Sequence, residues 1–87
     1  MTAMTITTRG IADVLFICGD QETALTGIEV LLSETMPGTF EMMFGSVNAK
    51  AAEGADRVCV ELPDRYLCGP ITFNKSGSVV FSDEGLE

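Results

Sequence analysis

The sequence predicts an α+β domain in which one main amphipathic helix, at about residues 20–35, packs on a mostly antiparallel sheet ending in a β-meander and hairpin at about residues 57–82. Three observations predict it. Ala24, Leu25, Ile28, Leu31, Leu32 and Thr35 recur at the three, four and seven spacing of one helix face. Phe40, Met42 and Phe44 alternate with Glu41, Met43 and Gly45 at the period of a strand. The last third alternates again between turn residues, Pro63-Asp64 and Asn74–Gly77.

Taken in order, Ile11–Cys18 comes first. Its Val14-Leu15-Phe16-Ile17 run suits a buried strand, the preferred reading, and a short helix capped by Thr8 is the alternative. The helix then starts after Gly19, where the Asp20 carboxylate can accept from first-turn amides and Glu22 lies near the positive end of the dipole. Pro37-Gly38 stops it, since the residue before a proline is driven out of the helical region. A strand comes next, over residues 40–44. Met42-Met43-Phe44 leaves neither of its faces cleanly polar. Asn48–Asp56 lacks large apolar anchors and reads as a loop or a turn or two of exposed helix, the expected mobile part.

Val58, Val60 and Leu62 alternate with Cys59 and Glu61, and Tyr66–Gly69 returns after the turn. Cys59 and Cys68 then lie opposite or one step out of register. They read as two small buried apolar residues, with a reversible thiol pair as the lesser alternative. In Ile71–Phe81 the register expected is Phe73 with Val79 and Ile71 with Phe81, around a three-residue loop whose type I turn starts at Asn74 and which closes on a left-handed Gly77. All four apolar side chains then share one face. Asp83, Glu84 and Glu87 form an acidic tail, expected to be frayed and solvated. No internal repeat or low-complexity tract is visible, and residues 1–87 read as a single domain.

Thirteen acids against five basic residues leave a formal net charge of −8, which argues against direct contact with DNA, RNA or anionic lipid. Histidine is absent, and with it the commonest general base, metal ligand and partner of a serine or cysteine nucleophile. Neither phosphate-binding nor dinucleotide-binding glycine patterns occur, and the acids never take the alternating spacing of a calcium loop. A zinc site from Cys18, Cys59 and Cys68 would need a carboxylate as fourth ligand, and no two of the three are two to four residues apart. Glu61 and Asp64 flank a turn and could face a common site, a weak sign of paired-carboxylate chemistry. The expectation is a protein that is not an enzyme and uses no metal or cofactor.

Three cysteines without framework spacing, an N-terminus unlike a signal peptide, and no apolar run longer than Val14–Cys18 predict a cytoplasmic protein with free thiols. Asn74-Lys75-Ser76 fits a glycosylation pattern only by coincidence on that route, and Leu86-Glu87 resembles a cloning remnant.

Function is expected to lie on the surface. Residues 10–49 carry six acids and no Lys or Arg, and Glu22 and Glu29 would stand two turns apart on one helix face. Asp20, Glu22, Glu29, Glu34 and Glu41 therefore form a candidate acidic, partner-binding face. The most specific reading is an inhibitor or decoy, a nucleic-acid mimic of the kind found among phage anti-restriction and anti-CRISPR proteins, acting on a basic nucleic-acid-handling protein. The alternative is a homo-oligomeric structural or assembly module, such as a homodimer, using the apolar residues Val30, Met42, Met43 and Val80.

Overall fold

The computed structural model describes residues 6–84, with the backbone alone for Ile6. The segment before Ile6 and the Leu86-Glu87 end, on which the signal-peptide and cloning-remnant expectations partly fall, lie outside the described residues. Six strands are formed: β1 (Ile6–Cys18), β2 (Gln21–Met36), β3 (Thr39–Met43), β4 (Arg57–Leu62), β5 (Arg65–Lys75) and β6 (Ser78–Ser82). They close into a barrel in the order β1-β2-β3-β6-β5-β4, every neighbour antiparallel. The one helical element among the described residues is a 3₁₀ turn, Ser46–Ala52. The α+β expectation is therefore wrong, and the fold is all-β.

The helix expected at 20–35 is β2. Apolar residues at 24, 25, 28, 31 and 32 fit a helix face, but Ile28, Val30 and Leu32 also fit a strand face, and that alternation is the one realised: Val30 and Leu32 are buried and Ile28 packs against them. The local chemistry agrees. Thr23, Thr26, Ile28, Val30 and Thr35 are β-branched, and a mid-helix Gly27 would cost about 1 kcal/mol. In the strand Gly27 takes φ 66° at a bulge, where Thr26 and Gly27 together face Asp13 of β1. Asp20 caps nothing. It shares with Gly19 the two-residue loop between Cys18 and Gln21. Pro37-Gly38, read as a helix stop, is a hairpin loop between paired Met36 and Thr39, with proline first and Gly38 second at φ 82°, the pattern of a type II turn.

The strand reading of 11–18 holds, as does the alternation at 40–44, where Phe40, Met42 and Phe44 are buried. The 48–56 region has the expected short helical turn, but Ala52 is fully buried and joins the core. Asn74 Nδ2 donates to the Ala52 carbonyl at 2.8 Å, and the Phe44 amide donates to the Gly77 carbonyl at 2.9 Å. The final hairpin keeps the Ile71–Phe81 pair and a positive φ at Gly77. Its loop is Ser76-Gly77, one residue shorter than expected, and a bulge at Thr72 pairs Phe73 with Val80 in place of Val79. Phe73 is consequently exposed, while Val79 and Phe81 fill the core with Phe16, Val58 and Val60. Each large apolar side chain so buried contributes about 2–3 kcal/mol.

The ring is built from two three-stranded meanders, β1-β2-β3 and β4-β5-β6, joined through the 3₁₀ turn. Their first hairpins match in register. Leu15 and Ala24, paired across the first hairpin, correspond to Cys59 and Cys68 across the second at one constant offset of 44 residues, and Leu15 also pairs with Cys59 where the halves meet. Apart from Val14 with Val58 and Asp20 with Asp64, corresponding positions of the two hairpins differ in residue type, which is why no repeat shows in the sequence. Cys59 and Cys68 form a disulfide, so they are not two free thiols, and Cys18 alone remains free and is exposed. Asp83 and Glu84, expected to fray, are tied down: the Asp83 amide donates to the Gly38 carbonyl at 2.8 Å and the Glu84 amide to the Cys68 carbonyl at 2.9 Å.

Candidate protein-binding surface

Strand alternation sets which side chains reach the outside. In β1, Ala12, Val14 and Phe16 point into the barrel, so Ile11, Asp13, Leu15 and Ile17 line its exterior. In β4, Val58, Val60 and Leu62 point inward, leaving Arg57, Cys59 and Glu61 on the outer face, where Cys59 is nonetheless buried. Register then brings Asp13 directly against Glu61, and sets Glu22 beside Ile17 and Glu29 beside Ile11. Two carboxylates directly opposite across a sheet repel each other, so the pairing itself does not stabilise the β1–β4 seam. The Asp13 carboxylate accepts the Gly27 amide of the bulge at 2.8 Å, which fixes its direction.

Two shallow hollows share this carboxylate pair. One, of about 220 Å³, adds Ile11, Ala12, Leu62 and Pro63, and the other, of about 180 Å³, adds chiefly Leu15, Ala24, Cys59 and Tyr66. Asp64, which with Glu61 could have faced a common site, lines neither hollow. The three-thiolate arrangement is also gone, because two of its sulfurs are bonded to each other.

The expected acidic face divides. Asp20, Glu22 and Glu29 are exposed along the first hairpin. They share it as strand and loop residues and no longer as a helix face, so the two-turn spacing of Glu22 and Glu29 is replaced by a longer separation along β2. Glu34 is half-buried and accepts the Gly38 amide at 3.1 Å, holding the β2–β3 turn. Glu41, on β3 in register with Ser33 and Val80, lies 3.5 Å from the Ser78 hydroxyl, which can donate to it. Sequence reasoning missed Asp13 and gave Glu61 a different role. Their signal was an acid at the odd position of an otherwise apolar alternation, at Ala12-Asp13-Val14 and Val60-Glu61-Leu62.

The expected apolar interface divides as well. Val30 and Met42 are core residues, at 1% and 0% exposure, and cannot meet a partner. Val80 is half-buried and Met43 is exposed, beside Leu31, Arg9 and Glu29 at a hollow of about 280 Å³.

The cations are largely committed. Arg9 lies 3.8 Å from Glu29. Arg57 makes a two-pronged bond to Glu84, at 2.6 and 3.2 Å. That hydrogen bond, with the attraction between the charges, raises the Arg57 pKa above its ordinary value and lowers that of Glu84. Arg65 sits 5.3 Å from the Phe40 ring centroid. Lys50 and Lys75 border a separate hollow of about 320 Å³ by the 3₁₀ turn. Among the described residues, Asp13, Glu22 and Glu61 have no cation within ion-pair distance. No helix of the described residues is long and apolar enough to cross a membrane. The chain matches no family model, no curated protein and no solved structure.

Proposed function

We propose that this chain binds a basic protein through the outer face of β1, β2 and β4, where its carboxylates take the place of nucleic-acid phosphates on that partner. The observation that carries this reading is the uncompensated set Asp13, Glu22 and Glu61, on a face whose two arginines, Arg9 and Arg57, already hold carboxylates. Such a surface steers itself toward a positive groove and loses affinity as salt screens the attraction. Binding of this kind requires no chemistry from the chain, and the decoy acts by occupying the partner's site.

The test is affinity capture from lysate at low and high NaCl, with duplex DNA as competitor. Nucleic-acid-handling proteins should be retained at low salt, released at high salt and displaced by DNA. Changing Glu22→Lys with Glu29→Lys should abolish capture while the circular dichroism spectrum is unchanged. Capture indifferent to both salt and DNA would overturn the reading. The assembly alternative has lost Val30 and Met42 to the core and rests on Met43 and Val80. It predicts a dimer or larger by light scattering at every salt concentration, broken by Met43→Asp or Val80→Asp.

A further inference from the structure

The two meanders differ at one place that bears on how a partner docks. Strand β5 pairs with β4 through Arg65–Pro70 and with β6 through Ile71–Lys75, so its first stretch has a strand on one side only. That bare edge is closed within the molecule. The Cys68 amide donates to the Asp83 carboxylate at 3.2 Å, its carbonyl accepts from the Glu84 amide at 2.9 Å, and Arg57 clamps Glu84. Pro70, further along, has no N–H to offer.

Strand β2 has the same layout. It pairs with β1 from Gln21 to Glu34 but with β3 only from Leu31 onward, which leaves Gln21–Val30 with one strand neighbour; the 3₁₀ turn Ser46–Ala52 packs against β2 without a backbone bond to it. By the offset that relates the halves, Ala24 stands where Cys68 does and Thr26 where Pro70 does. Successive residues of an antiparallel strand turn their N–H and C=O groups to opposite sides. Ala24, like Cys68, therefore aims both away from the partner strand, and so does Glu22 two positions earlier. Among the described residues no segment bonds to that side, and no proline blunts it.

The surroundings select the occupant. Glu22 lies on the open edge, Asp20 lies in the adjoining loop, and one strand inward the hollow of Leu15 and Ala24 is bordered by Asp13 and Glu61. A lysine or arginine from an added strand would rest its methylene stem on the hollow and bring its charge to those acids. A second copy of this chain, itself carrying −8, would bring the same acids to the seam. We propose that the edge from Glu22 to Thr26 is a strand-addition site that takes an extended, Lys- or Arg-bearing segment of a protein partner as an added antiparallel strand. This deepens the function proposed above and rests on it.

The probe is a fluorescent decapeptide of alternating lysine and threonine, titrated at several NaCl concentrations and followed by nitrogen-15 NMR of the whole chain. Binding should weaken with salt. The amides of Glu22 and Ala24 should shift and become protected from exchange on binding, while Thr23 and Leu25, which turn toward β1, change little. Ala24→Pro removes one outward N–H without touching the β1 ladder and should weaken binding roughly tenfold, and Glu22→Lys should weaken it in an independent way with the edge intact. The exchange measurement uses the unaltered chain, so it decides the matter even if Ala24→Pro unfolds. Salt-sensitive binding whose shifts fall on another face, or an Ala24→Pro variant that binds as before, would overturn the edge and leave the acidic-decoy reading standing. A chain that captures basic proteins but ignores the peptide would do the same. A self-dimer dissolved by Ala24→Pro would overturn it in favour of a second copy, and failure of both peptide binding and basic-protein capture would remove both proposals.

Discussion

The first hairpins of the two meanders share a register and are protected in different ways. In β4-β5-β6 the chain after β6 folds back over the edge of β5, and a disulfide joins the two strands of the hairpin. In β1-β2-β3 the corresponding pair is Leu15 and Ala24, the corresponding edge is bare, and β2 is 16 residues long against 11 for β5. An exposed edge is a hazard that folded proteins usually cover or interrupt. Here one copy of the motif is covered and the other is left open and ringed with acids. The difference teaches that backbone equivalence settles the barrel, whereas the path of the chain as it leaves each meander, and the side chains that line the edge, settle which half is available to a partner.

The comparison breaks hardest at Gly69. A Cβ there would lie 1.7 Å from the Ser82 carbonyl oxygen, because the chain leaving β6 crosses directly over this residue. Neither backbone can yield cheaply. Gly69→Ala should cost about 3 kcal/mol in denaturant unfolding, and should free the Cys68 amide to exchange, making β5 resemble β2. Its counterpart Leu25 already has a side chain, and Leu25→Ala should leave the edges unaltered. An unchanged Cys68 amide in Gly69→Ala would show that the tail is not what protects it.

Next in size is the disulfide. It closes a short loop, with a sequence separation of 9, so the constraint on the unfolded chain is worth roughly 2.5 kcal/mol. Cys59→Ala with Cys68→Ala should lower stability by that order, and the reductant-induced fall in Tm should vanish in the double variant. Because both cysteines lie in the second meander, local opening of β4–β5 should rise with reduction while that of β1–β2 does not.

How far the sequence foretold this arrangement depends on the segment. Turns were legible because their residues act locally: Pro37-Gly38, Pro63-Asp64 and Gly77 all mark chain reversals. So was the alternation of Phe40, Met42 and Phe44. Residues 20–35 were not, because Leu25, Ile28, Leu31 and Leu32 satisfy a helical stripe while Ile28, Val30 and Leu32 satisfy a strand, and periodicity alone does not choose. The choice is made by pairing with β1 and β3, contacts between distant segments that no window of 16 residues contains. Reading β2 as a helix carried Val30 to the outside and put Glu22 and Glu29 on a shared helix face, so the error in fold became an error in the site. The acids were legible as a charge imbalance. Their meeting with Asp13 and Glu61 was not, since it depends on the β1–β4 register.

A smaller effect is expected at Gly27, where φ is 66° and nothing lies within 4 Å of an added Cβ. Gly27→Ala would meet no clash and only the left-handed backbone penalty, about 1 kcal/mol. The second meander has no such bulge between β4 and β5, so nothing equivalent can be strained there. The local readout is the Gly27 amide bond to Asp13, whose loss should show as faster exchange at residue 27 alone.

The smallest effect sharpens the comparison most directly, because it opens the covered edge without altering the core. Glu84 has its pKa lowered by Arg57, so its contribution to holding the tail is present above the ordinary glutamate range, about 4.3, and is lost as pH falls through the lowered value. Arg57 stays charged throughout, its own pKa being raised. Protection of the Cys68 amide, corrected for intrinsic exchange, should therefore hold from neutral pH down past the ordinary range and then drop. The Cys68 amide itself donates to the Asp83 carboxylate and not to Glu84, so the pH course by itself does not isolate the arginine clamp on Glu84. Glu84→Gln does: it should lower Cys68 protection at pH 7 and shrink the acid step, with only a marginal change in Tm, since an ion pair this exposed adds little to global stability. Ala24, with no carboxylate or tail over it, should show no step in either protein. If Cys68 in Glu84→Gln behaves as in the unaltered chain, the arginine clamp is not what closes β5, and the contrast between the two edges rests on Asp83, the Glu84 backbone amide and Pro70.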